Sequence, residues 1–181
     1  MAIKVGFVSL GCPKNQLDLE VMLGHLVKEG CMITDCEEAD IVVINTCAFI
    51  LDAKQESIDN ILDIAWLKDN GQLKGIVVTG CMAEKYREEI LKEMPEVDAL
   101  LGTGSVHSIV EAVRAVAKGE KFTEFKDKNE VELGGDRIVT TGDAMAYLKI
   151  SEGCDNNCTY CAIPKLRGKF RSRKMEDIIT E

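Results

Sequence analysis

Short, almost wholly apolar runs alternate along the chain with longer stretches in which apolar residues return every third or fourth position. Ile3-Lys4-Val5-Gly6-Phe7-Val8-Ser9-Leu10 is β-branched and aromatic and ends at Gly11-Cys12-Pro13, which predicts a buried strand. Leu17, Leu19, Val21, Met22, Leu23, Leu26 and Val27 follow at roughly helical spacing, so a helix is expected over about 16–29, with Asn15 as N-cap and Gly30 as stop. Met32-Ile33-Thr34 suggests a short strand, and Ile41-Val42-Val43-Ile44 a stronger one running into Asn45-Thr46-Cys47. A helix over about 53–68 turns Ile58, Ile61, Leu62, Ile64 and Ala65 inward and ends at Asn70-Gly71.

The apolar strand Gly75-Ile76-Val77-Val78-Thr79-Gly80-Cys81 is followed by a helix over about 83–92 that stops before Pro95. A weaker strand at Val97-Asp98-Ala99-Leu100-Leu101 and a helix over 106–117, ended by Gly119, complete the alternation. Strands that are apolar on both faces and alternate with helices predict an α/β fold, a doubly wound parallel sheet over 1–118. Residues 119–144 alternate charges and contain Gly134-Gly135, which reads as a linker with an extended or hairpin segment near Ile138-Val139-Thr140. Ala146 to Ser151 reads as one more strand, opening a second unit over 145–181.

Composition sharpens this picture in two ways. Eight cysteines without a secretory leader point to a reducing compartment, where clustered thiols mean metal or redox chemistry more often than disulfides. No apolar run approaches the roughly 18 residues of a membrane span, so the expected location is the cytoplasm, with no membrane partner. A net charge of −9 argues against a general nucleic-acid coat, although Lys165 to Lys174 holds six basic residues that could meet RNA or an acidic protein, or else form a solvated segment.

The cysteines fall into two trios. Cys12, Cys47 and Cys81 each stand at the carboxyl end of an expected core strand, and in an open parallel sheet those ends share one edge, where crevices form at a topological switch point. Helix N-termini facing that edge favour thiolates. A 4Fe-4S cluster with one open iron is the expected occupant, against the bland reading that each thiol fills a small buried space. Cys31 and Cys36 do not share this placement and read as structural.

The second trio, Cys154-Asp155-Asn156-Asn157-Cys158-Thr159-Tyr160-Cys161, packs three soft ligands into one loop. A zinc knuckle would want a fourth ligand, and His25 and His107 lie far off in helical patterns. Three thiolates leave one iron of a cubane free. The spacing, with Tyr160 just before the third Cys, resembles the signature of radical S-adenosylmethionine (SAM) enzymes.

Gly11-Cys12-Pro13-Lys14-Asn15, Asn45-Thr46-Cys47, Gly80-Cys81, the run from Ala146 to Cys154, and Ile163-Pro164-Lys165-Leu166-Arg167-Gly168 together resemble the methylthiotransferase family within that group. The resemblance implies two 4Fe-4S clusters and SAM as cofactors. Cys154, Cys158 and Cys161 would hold the cluster that splits SAM, with Tyr160 near SAM. Cys12, Cys47 and Cys81 would hold the auxiliary cluster that delivers sulfur, and no catalytic residue is implied beyond these ligands. It also implies insertion of a methylthio group at an unactivated C–H bond, fed by an electron donor such as flavodoxin.

Pro13-Lys14 and Tyr147-Leu148-Lys149-Ile150 look more like the branch that modifies an aspartate of ribosomal protein S-twelve, making that protein or the small ribosomal subunit the expected partner. The branch acting on isopentenyl-adenosine in transfer RNA more often has Gln-Met at positions 13 and 14. A non-catalytic iron–sulfur carrier or scaffold is the alternative from another class. A plain nucleotide-binding domain is opposed by the lack of a Gly-x-Gly-x-x-Gly turn. Residues 145–181 hold only the beginning of the family's radical SAM partial (β/α) barrel. This predicts a truncated chain that is inactive alone, poorly ordered or partnered elsewhere from about 140 onward.

Overall fold

The computed structural model describes residues 2–181. Six parallel strands form one sheet: β1 (Lys4–Ser9), β2 (Met32–Ile33), β3 (Ile41–Thr46), β4 (Gly75–Gly80), β5 (Ala99–Leu101) and β6 (Phe122–Glu124), in the order β2-β1-β3-β4-β5-β6. The order reverses between β1 and β3, so the switch point lies beyond their carboxyl ends. The helices are α1 (Pro13–Lys28), α2 (Leu51–Asp69), α3 (Cys81–Lys85), α4 (Arg87–Glu93) and α5 (Ile109–Ala117).

Strand alternation divides the core between the two faces of the sheet. Val5, Ile41, Val43 and Val77 meet Met22 and Leu26 of α1 and Val113 of α5 on one face. Val42, Ile44, Ile76 and Val78 meet Ile61 of α2, Met82 of α3 and Ile90 of α4 on the other. Every residue of β3 and β4 is buried, as the continuous apolar runs require. The expected doubly wound α/β fold is the one observed. Among the described residues, no helix is long and apolar enough to cross a membrane.

Several local expectations are corrected. Helix α1 starts at Pro13, whose fixed φ and missing N–H suit a first turn, so Cys12 occupies the N-cap position and Asn15 does not. The helix expected over 83–92 is two short ones, broken at Tyr86, where φ is −118° and ψ is 35°. The first turn of the helix expected at 106 is 3-10, over Val106–Ser108. Strand β6 comes from the stretch read as linker: it pairs with β5 through backbone bonds that need no apolar pattern.

No hairpin forms at 138–140. The Ile138 N–H donates to the Glu20 carbonyl at 3.1 Å and the Thr140 N–H to Glu20 Oε1 at 2.9 Å, which lays that segment along α1. The strand expected over 146–151 shrinks to β7 (Ser151–Glu152), antiparallel to β8 (Arg171–Ser172), with α6 (Ile163–Arg167) between them and α7 (Met175–Thr180) after.

Residues beyond 140 do not lack partners. Leu166, Arg167 and Glu152 are buried against the first unit. The docking is chiefly polar, and Ile150, Phe170, Met175 and Ile179 stay exposed.

Candidate functional site

Strands β1, β3 and β4 deliver Cys12, Cys47 and Cys81 to the same edge of the sheet. All three line one cavity of about 960 Å³ at the switch point, together with Phe49, Ile50 and Arg167. Cys12 is exposed at the start of α1, whereas Cys47 and Cys81 are buried. Gly11, at φ +95°, lets the chain pass Cys47 closely: a Cβ there would stand 2.7 Å from Cys47 Cβ and 2.9 Å from its sulfur. Cys47 is fixed from α2, because its N–H donates to Ser57 Oγ at 3.0 Å and its carbonyl lies 2.9 Å from the same hydroxyl.

Asn15, fully buried, joins the three strand ends. Its Nδ2 donates to the Leu10 carbonyl at 2.9 Å and the Thr46 carbonyl at 3.0 Å, while its Oδ1 faces Cys81 Sγ at 3.8 Å. Asn45 Nδ2 returns a bond to the Asn15 carbonyl at 2.7 Å. These contacts follow from the fold and leave no trace in local sequence pattern, which is why a capping role was the expectation.

Gly80, immediately before Cys81, has φ 94° and ψ −160°, a region essentially reserved for glycine. A Cβ there would meet Asn45 Oδ1 at 2.4 Å and the Thr46 carbonyl oxygen at 2.5 Å. Gly80→Ala is therefore expected to destabilise the chain by about 3 kcal/mol or more in urea denaturation. Gly30→Ala, at φ +82° with nothing within 4 Å, is expected to cost only about 1–2 kcal/mol.

A buried ion-pair network adjoins the cavity. The Arg167 guanidinium pairs through Nη1 with Asp18 Oδ2 and lies 3.5 Å from Glu152 Oε2. Lys149 Nζ reaches Asp18 Oδ1 at 2.5 Å and Glu152 Oε2 at 3.2 Å, and Lys14 Nζ reaches Glu152 Oε1 at 3.0 Å. Burial opposes ionisation of Asp18 and Glu152, but Arg167 and Lys149 outweigh it and hold both carboxyls below their usual range. The six basic residues of 165–174 are thus neither an open patch nor uniformly solvated: Arg167 is buried here, and Arg173 pairs with Glu181 at 2.5 Å. Burial pushes the Cys81 thiol up, and Arg167 opposes that shift.

The second trio lies in the loop between β7 and α6. The Cys154 N–H donates to the Gly168 carbonyl at 3.1 Å and the Cys161 N–H to the Cys158 carbonyl at 3.0 Å, so the backbone curls as the spacing suggested. Cys158 is exposed, Cys154 and Cys161 are half-buried, and Tyr160 is 91% exposed. Among the described residues, no three His, Cys, Asp or Glu side chains converge tightly enough to hold a single metal ion. The thiols of the first trio share a cavity rather than a chelating point, and those of the second share a loop.

Cys31 and Cys36 sit elsewhere, Cys31 against the core and Cys36 Sγ 3.8 Å from the Phe7 carbonyl. Burial raises both thiols. His25 and His107, distant in sequence, meet edge to face with Nε2 and Nδ1 2.8 Å apart and contribute nothing to either cysteine trio.

Comparison with known proteins gives this geometry a context. Residues 4–102, more than half of the chain, match the model of the Uncharacterized protein family UPF0004. The chain is 52% identical over 181 residues to "Ribosomal protein uS12 methylthiotransferase RimO" of Lachnoclostridium phytofermentans, covering 99% of this chain and 41% of that protein. It is 51% identical to the protein of the same name in Clostridium tetani and 50% identical to that in Clostridioides difficile, again over 99% of this chain and 40% and 41% of theirs. The chain thus spans about two fifths of the length of the curated relatives it matches. The chain belongs to the uncharacterized protein family UPF0004, the N-terminal family of the methylthiotransferases.

Proposed function

We propose that this chain is the cluster-bearing part of a radical SAM methylthiotransferase of RimO type, whose target is the beta carbon of an aspartate in ribosomal protein S-twelve. The observation that carries the reading is the meeting of Cys12, Cys47 and Cys81, each more than 30 residues from the next, on one cavity. The donor set fits a four-iron cluster, which takes thiolates around a body wider than a single ion and tolerates one missing ligand. The auxiliary cluster would be held by Cys12, Cys47 and Cys81, and the SAM-binding one by Cys154, Cys158 and Cys161, with Tyr160 beside SAM.

When bound, these groups supply reductive cleavage of SAM at the loop and a transferable sulfur at the sheet edge. The chain's own residues supply placement. Asn15 and Ser57 hold the strand ends at fixed separation, Gly11 admits the close pass at Cys47, and Phe49 and Ile50 add apolar side chains to the cavity lining. A soluble reductant such as flavodoxin, the small ribosomal subunit as partner, and the cytoplasm as location complete the reading. The names of the relatives favour the ribosomal protein over transfer RNA as substrate.

The test is SAM binding. The anaerobically reconstituted and reduced full-length protein is expected to change its electron paramagnetic resonance spectrum on addition of SAM, and its Cys154/Cys158/Cys161 triple alanine variant is expected not to. A spectrum indifferent to SAM in the unmodified full-length protein would favour the non-catalytic carrier instead. The substrate is decided separately by mass spectrometry. The full-length protein should add a methylthio group to S-twelve, and modification of transfer RNA instead would overturn that assignment.

A further inference from the structure

Arg167 joins the two cysteine sites. It ends α6, the helix that follows the Cys154–Cys161 loop, yet its guanidinium lies inside the first unit and is 6% exposed. Nη2 stands 2.5 Å from Asn15 Oδ1 and 3.5 Å from Cys81 Sγ. Nη1 is held by Asp18, with Glu152 behind it. The neighbouring Leu166 carbonyl accepts from Thr103 Oγ1 at 2.6 Å, which anchors the helix that carries the guanidinium. The carboxylates fix one arm of a rigid planar fork, and the other arm is thereby aimed at Asn15 and the sulfur.

We infer that Arg167 is a positioning residue of the strand-edge site, donating an N–H to the Cys81 sulfur when that sulfur ligates a cluster and fixing the loop of the second trio relative to it. The inference rests on the reading that Cys12, Cys47 and Cys81 hold a 4Fe-4S cluster. Hydrogen bonds to ligand sulfurs and nearby positive charge stabilise the more negative, reduced cluster and so raise its reduction potential. A merely structural ion pair among Arg167, Asp18 and Glu152 would hold the fold and leave the potential alone. Lys149 provides the contrast: it bonds the same two carboxylates and makes no contact with Cys81.

The experiment uses the 181-residue chain with Cys154, Cys158 and Cys161 replaced by alanine, so that only the strand-edge site can carry a cluster. Iron and sulfide are counted after anaerobic reconstitution, and the midpoint potential is followed by electron paramagnetic resonance. Four proteins are compared in that background: unchanged, Arg167→Met, Arg167→Met with Asp18→Asn, and Lys149→Gln. The double variant removes one cation and one anion together, so it decides the matter if Arg167→Met alone fails to fold.

Both Arg167 variants are expected to keep their iron and to shift the midpoint negative, with about a tenfold loss in the one-electron reduction equilibrium, or about 59 mV. Lys149→Gln is expected to shift it less than a third as far. An unchanged midpoint in the Arg167 variants, or an equal shift in Lys149→Gln, overturns the inference while leaving the cluster reading intact. Absence of iron from the background protein overturns the cluster reading, and the inference with it.

Discussion

Asp18→Ala is expected to destabilise the chain by about 3–5 kcal/mol, because it removes one of the two carboxylates that the buried Arg167 and Lys149 share. Glu152 is left alone to face Arg167, Lys149 and Lys14, an uncompensated positive charge in the interior. Domains of this kind are stable by only about 5–15 kcal/mol, so the change consumes a large share of the total and should lower the melting temperature by roughly 10 °C. Differential scanning fluorimetry and urea titration measure it. The matching control is Glu29→Ala, which breaks the solvent-exposed pair with Arg114 and is expected to cost less than about 1 kcal/mol.

The same network dictates a pH dependence. Asp18 and Glu152 have folded pKa values held below their ordinary ones of 3.8 and 4.5, so the unfolded chain takes up protons first as the solution is acidified. Their contribution is fully present above about pH 5 and drains away as pH falls through the carboxylate range towards the lowered folded values. Asp18→Asn should therefore flatten the acid limb of the stability profile. An acid limb as steep as that of the unmodified chain would show that Asp18 is not what acid attacks.

How much of this was legible in the sequence depends on the scale of the feature. Ile41 to Ile44 and Ile76 to Val78 are apolar without alternation, and only a strand covered on both faces satisfies that pattern, so the parallel sheet could be read directly. From the sheet followed the shared edge for Cys12, Cys47 and Cys81, since parallel strands end on one side. Strand β6 could not be read in the same way. Its three residues sit among charges and are held by pairing to β5, a contact that exists only once the sheet does.

Asn15 and Arg167 were illegible for a related reason. Asn15 beside a helix start is locally indistinguishable from a cap, and its actual partners, the Leu10 and Thr46 carbonyls, are set by strand register. Arg167 is one of six basic residues in ten, and nothing near it in sequence reveals that Asp18 and Glu152 wait in the interior to receive it. Pro13 was the one signal that could have corrected the start of α1, because a proline so placed suits the first helical turn.

The loss of the strand-edge trio is the other large effect. On the proposed function each three-thiolate site would hold four irons and the two would divide the metal equally, so Cys12, Cys47 and Cys81 replaced together by alanine should remove about half of the iron and half of the sulfide. Replacing Cys154, Cys158 and Cys161 should remove the other half. Single replacements are less informative, because two remaining thiolates can retain a damaged cluster. Substitution of Cys31 and Cys36, which lie outside the cavity and the loop, should leave the metal content unchanged.

Anaerobic iron and sulfide counting on these variants tests the central claim most directly. The account predicts about eight irons for the unmodified chain and about four for each triple variant. A Cys12/Cys47/Cys81 variant that keeps the full complement would contradict it, because the cavity at the switch point would then hold no cluster.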